Sequence, residues 1–418
     1  MPPDRPTSRI VAVQGTAQLT SAIAAMRAAD RVAGSGAANH QVIHNLSCPE
    51  DQAQEFADCI GRLARLGADW QSVRYVAPAE LRSLQALSAS DGPKATATLQ
   101  ELIGVAAADS LFLGQNLLFL NHLLHRAFPA ASRACYGDGI GLNFSTDYYR
   151  APVYDPGIRG LGRRLERTIR RRIRAWSGRE NGPDQNPTGK SIAHAVPFDR
   201  HYLLLANLFD EHLDEFVQLD AADFCELFAA YVPEVERAAV RGRDSLGDAL
   251  DRASSVVVLL TSNFSETGRM TLQGEVECCI ASVLSAGGAG PGSLLVIKPH
   301  PRDGHEKIAR LATEARRHFA EVVTLDDRWT FHLPFESVFV RYFPSGTRIR
   351  AVTRVVCTSS AALSLEHLYG QECHLGFGPR AVRRCFVHNW QALRLRHEAD
   401  LAAAIRQIRH RAAPARAA

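Results

Sequence analysis

The chain has 418 residues, a formal net charge of +4, 46% hydrophobic and 22% charged residues. That length provides for two or three domains, each with enough material for a core, and the composition excludes a chain disordered throughout. No run of about 18 apolar residues occurs, so no bilayer-spanning helix is expected, and the opening MPPDRPTSRIVAV does not read as a signal peptide.

Strand and helix signals alternate from the start. Arg9–Val13 predicts a strand, Leu19–Val32 a helix and Gln41–Leu46 a weaker strand. A helix after Pro49 carries Phe56, Ile60, Leu63 and Leu66 as its apolar face. A strand at 73–76, helices at 96–108 and 116–127 and a strand near 132–136 follow. Such alternation predicts an α/β fold, a parallel sheet covered by helices. Residues 150–200 break the pattern with Arg at 159, 163, 164, 167, 170, 171, 172, 174 and 179, then a loop-like GRENGPDQNPTGKS. Residues 201–250 read as helical. Alternation resumes with SVVVLL at 255–260, a helix at 272–285, a strand at 294–297, a helix at 306–317, strands at 321–325 and 353–357 and a helix at 361–369. Disorder is expected from Ala412. The expected division is 1–150, a basic helical segment at 151–250, 251–380, and a terminal helix and tail at 381–418.

Several segments carry chemistry. LLVIKPHPRD sets Lys298, Pro299, His300 and Pro301 just past a buried strand, where open parallel sheets bind ligands. Two prolines stiffen the backbone about His300, which then either donates to a phosphate or stands in a rigid turn facing solvent. VVCTSSAALSLEHL puts Thr358, Ser359 and Ser360 before a helix; one hydroxyl suffices as a cap, and three in a row fit a phosphate better. Glu336, after Pro334 and Phe335, either accepts from a ribose or complements a helix dipole. Thr261, Ser262 and Asn263 follow the strongest strand, as ligand donors or as a turn. RACYGDGIGLNFS holds Asp138 between Gly137 and Gly139, a positioned base or a plain turn.

Other patterns fail on inspection. Gly137, Gly139 and Gly141 imitate a dinucleotide fingerprint, but Leu142 stands where the third Gly belongs, and DQNPTGKS at 184–191 has Asp184 in place of the first Gly of a phosphate loop. The nine cysteines include no CxxC pair, which points to reduced, buried thiols and no metal site. The Arg cluster, with Arg163, Arg164, Arg167 and Arg171 at its centre, suits a polyanionic acceptor, an anionic membrane face or a solvated helix. No nucleic-acid motif accompanies it.

In order, GDG at 137–139, KPHP at 298–301, PFE at 334–336 and TSS at 358–360 resemble the bacterial sialyltransferases, in particular the group with the capsular polysialyltransferases and lipooligosaccharide sialyltransferases. YGDG with NFS, and LLTSNFSE, look like the polysialyltransferase branch. The resemblance covers about 10–145 and 255–375. It implies a GT-B arrangement: two facing Rossmann-like domains, with the acceptor side N-terminal and the CMP-sugar side C-terminal. It also implies an inverting, metal-independent transfer of sialic acid, or a related nonulosonic acid, from a CMP-sugar to a glycan or glycolipid hydroxyl. Asp138 then matches the general base and His300 the donor-phosphate histidine. Ser359 and Ser360 match the phosphate pair and Glu336 the ribose carboxylate, with Thr261, Asn263, Lys298, Pro301 and Phe335 expected beside them. Gly137 departs from the family, which usually has an acidic residue there; this bears on acceptor recognition. A CDP-glycerol glycerophosphotransferase, a CMP-Kdo transferase and a non-catalytic glycan-binding protein are the competing expectations. The expected location is the cytoplasm or the inner face of its membrane.

Overall fold

Ile10, Val11, Ala12 and Val13 are all buried, so the strand at Ser8–Val13 (β1) is apolar on both faces, as a strand between two helix layers must be. In a computed structural model the described residues are 7–34, 36–45, 52–115, 118–137, 196–206, 216–242, 245–327 and 330–417. After β1 come α1 (Thr16–Ala33), β2 (Ala38–His44), α2 (Ala53–Gly67), β3 (Ser72–Val76), α3 (Pro78–Ser90), α4 (Gly92–Ile103), β4 (Ser110–Leu113), α5 (Phe119–Ala127) and β5 (Ser132–Cys135). The sheet is completed by β6 (Arg200–Leu203) and β7 (Phe216–Gln218), short strands where the sequence reads as helix. All its pairings are parallel, in the order β3-β2-β1-β4-β5-β6-β7.

Three helices then cross to the second half: α6 (Ala221–Ala230), α7 (Val232–Gly242) and α8 (Ser245–Arg252). The second sheet alternates β8 (Ser255–Leu260), α9 (Leu272–Ser285), β9 (Gly290–Lys298), α10 (His305–Ala315), β10 (Phe319–Thr324), α11 (Phe335–Tyr342), α12 (Arg348–Ala351), β11 (Thr353–Cys357), α13 (Ala361–Tyr369) and β12 (Cys373–Leu375). Its order is β10-β9-β8-β11-β12, again all parallel. Both sheets follow the Rossmann order 3-2-1-4-5 about their first strand. The chain ends with α14 (Gly378–Cys385) and α15 (His388–Ala417), a helix that continues past Ala412, where disorder is expected. No helix of the described residues is long and apolar enough to cross a membrane.

Segments that follow the carboxyl ends of strands in both sheets meet at the join, and two such Rossmann-like halves make the GT-B architecture. Thr16, just after β1, donates its hydroxyl to His332 O at 3.0 Å across the join. The Phe56 ring meets the His332 ring edge-on at 5.6 Å. One apolar cluster runs from Leu19, Ile23 and Phe56 through Phe224, Leu227 and Phe228 to Phe335, Phe339 and Phe343. Ion pairs follow the same path: Asp223 of α6 binds Arg31 at 2.7 Å, Glu234 of α7 binds Arg62 at 2.9 Å, and Glu236 binds Arg341 at 3.0 Å. The helices of the middle segment are thus a bridge packed on both halves. On α2, Phe56, Ile60 and Leu63 are buried as expected, but Leu66 is 43% exposed. At 100° per residue it lies well off their shared face.

Candidate active site

Three neighbouring strands, β9, β8 and β11, end at the segments that the sequence singles out. Pro299 and Pro301 cannot continue a ladder, so β9 stops at Lys298 and the chain turns. The His300 amide donates to Thr261 Oγ1 at 2.9 Å and to Asp303 Oδ2 at 3.0 Å. Its Nδ1 accepts from the Arg302 amide at 3.1 Å. With Nδ1 an acceptor, the ring proton of neutral His300 sits on Nε2. Burial, then the charges of Arg302, Lys307 and Lys298, push its pKa down to about 3. His300 is therefore a neutral, aimed N–H donor at physiological pH, not an imidazolium.

Under this turn lies a charged cluster that the sequence reading missed. Lys307, 1% exposed, reaches Asp303 at 2.6 Å, Glu266 at 2.9 Å and Glu275 at 3.2 Å, and donates to Ser262 O at 2.8 Å. Burial pushes Asp303 up to about 6 against the pull of Lys307. Burial alone would lower Lys307, but Asp303 and Glu275 prevail and hold it above the ordinary lysine value. Asp303 also accepts from the Thr261 hydroxyl. The available signal was the i, i+4 spacing of Asp303 and Lys307 at a helix start, in a chain with few lysines.

At the end of β11, Thr358 is buried and donates to Ser262 Oγ at 3.0 Å. Ser359 Oγ accepts from the Ala361 amide at 3.4 Å and so caps α13. Ser360, at the helix start, makes no side-chain capping bond and is half-buried. Two hydroxyls and the first amides of α13 thus stand at the end of β11, with β8 between them and the His300 turn at the end of β9. Thr358 instead supports the turn from beneath.

The other residues expected beside the donor differ in how far their own contacts engage them. Thr261 is spent on His300 and Asp303. Lys298 is buried; its ammonium donates to Phe331 O at 2.6 Å and Pro299 O at 3.3 Å, and burial lowers its pKa to about 8. Phe335 packs among Phe339 and Phe343, at 5.9 and 6.5 Å. The Glu336 carboxyl accepts from Ser364 Oγ at 2.5 Å and is raised above the usual carboxylate range by burial. Asn263 is half-buried and Pro301 exposed.

In the N-terminal half, the Tyr136 hydroxyl donates to Ala12 O and fixes the end of β5 on β1. Gly137 follows at φ +86°, a left-handed conformation that glycine adopts freely. Asp138 and Gly139 lie outside the described residues, as do Arg163, Arg164, Arg167 and Arg171.

No family model matches the chain, and no curated protein matches it. Among solved structures, it is similar to a UDP-GlcNAc 2-epimerase from Neisseria meningitidis bound to UDP-GlcNAc, at 10% identity and a TM-score of 0.47, covering 90% of this chain and 85% of the other. It is similar to the E. coli heptosyltransferase WaaC with ADP-2-deoxy-2-fluoro heptose, at 13% identity and a TM-score of 0.38, covering 88% of each. A sialyltransferase from Photobacterium damsela matches at 12% identity and a TM-score of 0.31, covering 85% of this chain and 75% of the other.

Proposed function

We propose that this chain is an inverting, metal-independent glycosyltransferase that moves sialic acid, or a related nonulosonic acid, from a CMP-sugar to a glycan hydroxyl. One observation carries the reading: the Nε2–H of His300 and the hydroxyls of Ser359 and Ser360 arrive at the ends of strands that flank β8 in one sheet. Neutral donors and a helix N-terminus suit a phosphate that gains charge as it leaves.

In the proposed reaction, an oxygen of the acceptor forms a bond to the anomeric carbon as the bond from that carbon to the CMP phosphate oxygen breaks. The electron pair goes to the phosphate, where His300, Ser359 and Ser360 stabilise it. The acceptor proton goes to Asp138, the proposed base. His300 need not give up its proton, because a phosphate departs as an anion. Glu336, held by Ser364, is the proposed ribose carboxylate. The proposed place of work is the cytoplasm or the inner face of its membrane.

The test is to incubate the protein separately with CMP-sialic acid, CMP-Kdo and CDP-glycerol, with and without oligosaccharide acceptors, and to measure CMP release. Acceptor-dependent release from CMP-sialic acid alone is expected. Release from CDP-glycerol alone replaces the reading with a glycerophosphotransferase, release from CMP-Kdo alone with a Kdo transferase. No release from any, with CMP still bound, leaves a binding protein.

A further inference from the structure

The last helix carries a charged pair that reaches beneath the Ser359–Ser360 turn. Arg394 is 6% exposed, and its guanidinium stands over the rings of Phe264, Phe377 and Phe386, at 4.8, 5.6 and 5.8 Å. Its Nη2 donates to Thr358 O at 2.9 Å and its Nε to Glu398 Oε1 at 2.9 Å. The Glu398 carboxylate in turn accepts from the amides of Phe377 and Gly378, both at 3.1 Å. Three loops meet on this pair: Phe264 follows β8, Thr358 follows β11, and Phe377 and Gly378 follow β12.

The hydrogen bonding continues inward. The Thr358 hydroxyl donates to Ser262 Oγ at 3.0 Å, Ser262 O accepts from Lys307 at 2.8 Å, and Lys307 binds Asp303 at 2.6 Å. Asp303 accepts from the His300 amide at 3.0 Å. A continuous, largely buried polar path therefore joins Glu398 to His300 and passes under both turns.

We infer that Arg394 is a positioning residue: with Glu398 it fixes the Ser359–Ser360 turn relative to the His300 turn, so that both sets of donors address one phosphate. This rests on the CMP-sugar reading above. Arg394 touches no reacting atom; it acts through Thr358. A lysine cannot replace it, because one ammonium lacks the planar fork that serves Thr358 O and Glu398 at once and stacks on the three rings. Glycine at 376, with φ +63°, makes room for the carboxylate: a Cβ there would come within 2.8 Å of it.

The experiment compares wild type, Arg394→Ala, Arg394→Lys and Glu398→Gln by three readouts. These are CMP affinity by calorimetry, kcat/KM with CMP-sialic acid, and amide hydrogen exchange at 358–362 and 376–378. In Arg394→Ala, kcat/KM should fall about a hundredfold, as for donors displaced by about 1 Å. Exchange should quicken in those two segments while β1 and β2 stay protected, and added methylguanidinium should restore part of both CMP affinity and turnover. Should Arg394→Ala fail to fold, Arg394→Lys and Glu398→Gln carry the comparison, each with faster exchange at 376–378. Wild-type CMP affinity together with unchanged exchange at 358–362 and 376–378 in a folded variant overturns the assignment. If the wild type itself binds no CMP, the CMP reading fails instead, and the exchange comparison alone decides whether Arg394 holds the turns.

Discussion

At the scale of single residues, the chemistry of His300 follows from the bond its Nδ1 accepts from the Arg302 amide. That bond leaves Nε2–H as the group presented, and the low pKa of about 3 keeps the ring neutral. His300→Ala should lower kcat at least about a hundredfold, the cost of one preorganised donor. His300→Gln presents an amide N–H near the Nε2 position and should retain more activity than Ala. The pH–rate profile should show no acid limb near pH 6.5 from this residue; a limb there that disappears in His300→Gln would mean that the imidazolium is used. Asp138→Asn should abolish transfer and leave CMP affinity close to wild type, as read by steady-state rates and calorimetry. The residues that bear hydroxyls and the imidazole were legible from type and order along the chain. What could not be read was which hydroxyls remain free: Thr261 and Thr358 look like donors in the sequence, and both are committed inside the protein.

Among the elements, strands buried on both faces announced themselves. SVVVLL and RIVAV are β8 and β1, and the strand at Thr353–Cys357 and the helices at Leu272–Ser285 and Ala361–Tyr369 lie where the apolar pattern put them. The short strands β6, β7 and β12 were not legible, because three or four residues give no period, and pairing with a neighbour decides their state. The turn after β9 depends on Lys307, whose removal would leave Asp303 and Glu275 buried side by side without their cation. Lys307→Met should cost about 3–5 kcal/mol, measured by urea unfolding, as when one partner of a buried ion pair is lost. Gly376→Ala should cost about 1–2 kcal/mol, because the added methyl meets Glu398 and φ +63° strains any residue with a Cβ. A wild-type midpoint for either variant would show that the cluster or the turn carries no such load.

Across the whole molecule, five of the described histidines are held well below their ordinary value by burial: His44 and His300 at about 3, and His201, His332 and His397 at about 4. As pH falls below 6.5 the unfolded chain binds protons at these sites that the folded chain refuses, so stability falls with pH. Asp303 runs the other way: its folded value of about 6 lies above the ordinary 3.8, so the stability it contributes is present at low pH and is lost as pH rises through about 6. Five groups against one leave a net loss of stability as pH falls from 7 to 5. Urea midpoints that stay level or rise between pH 7 and pH 5 would contradict this. His332 also sits at the join, where its carbonyl accepts from Thr16, so acid should loosen the contact between the halves along with the core.

Two parallel sheets, their β-α alternation and the types of residue at the strand ends were determined by the sequence alone, because period, burial on both faces and proline stops are local properties of the chain. Which residues meet was decided only by the tertiary structure. Lys307 finds three carboxylates, Arg394 reaches Thr358 from the far end of the chain, and α6 packs on both halves. Such contacts depend on strand order and on how much water each group loses, and neither is written in the spacing of residues along one segment.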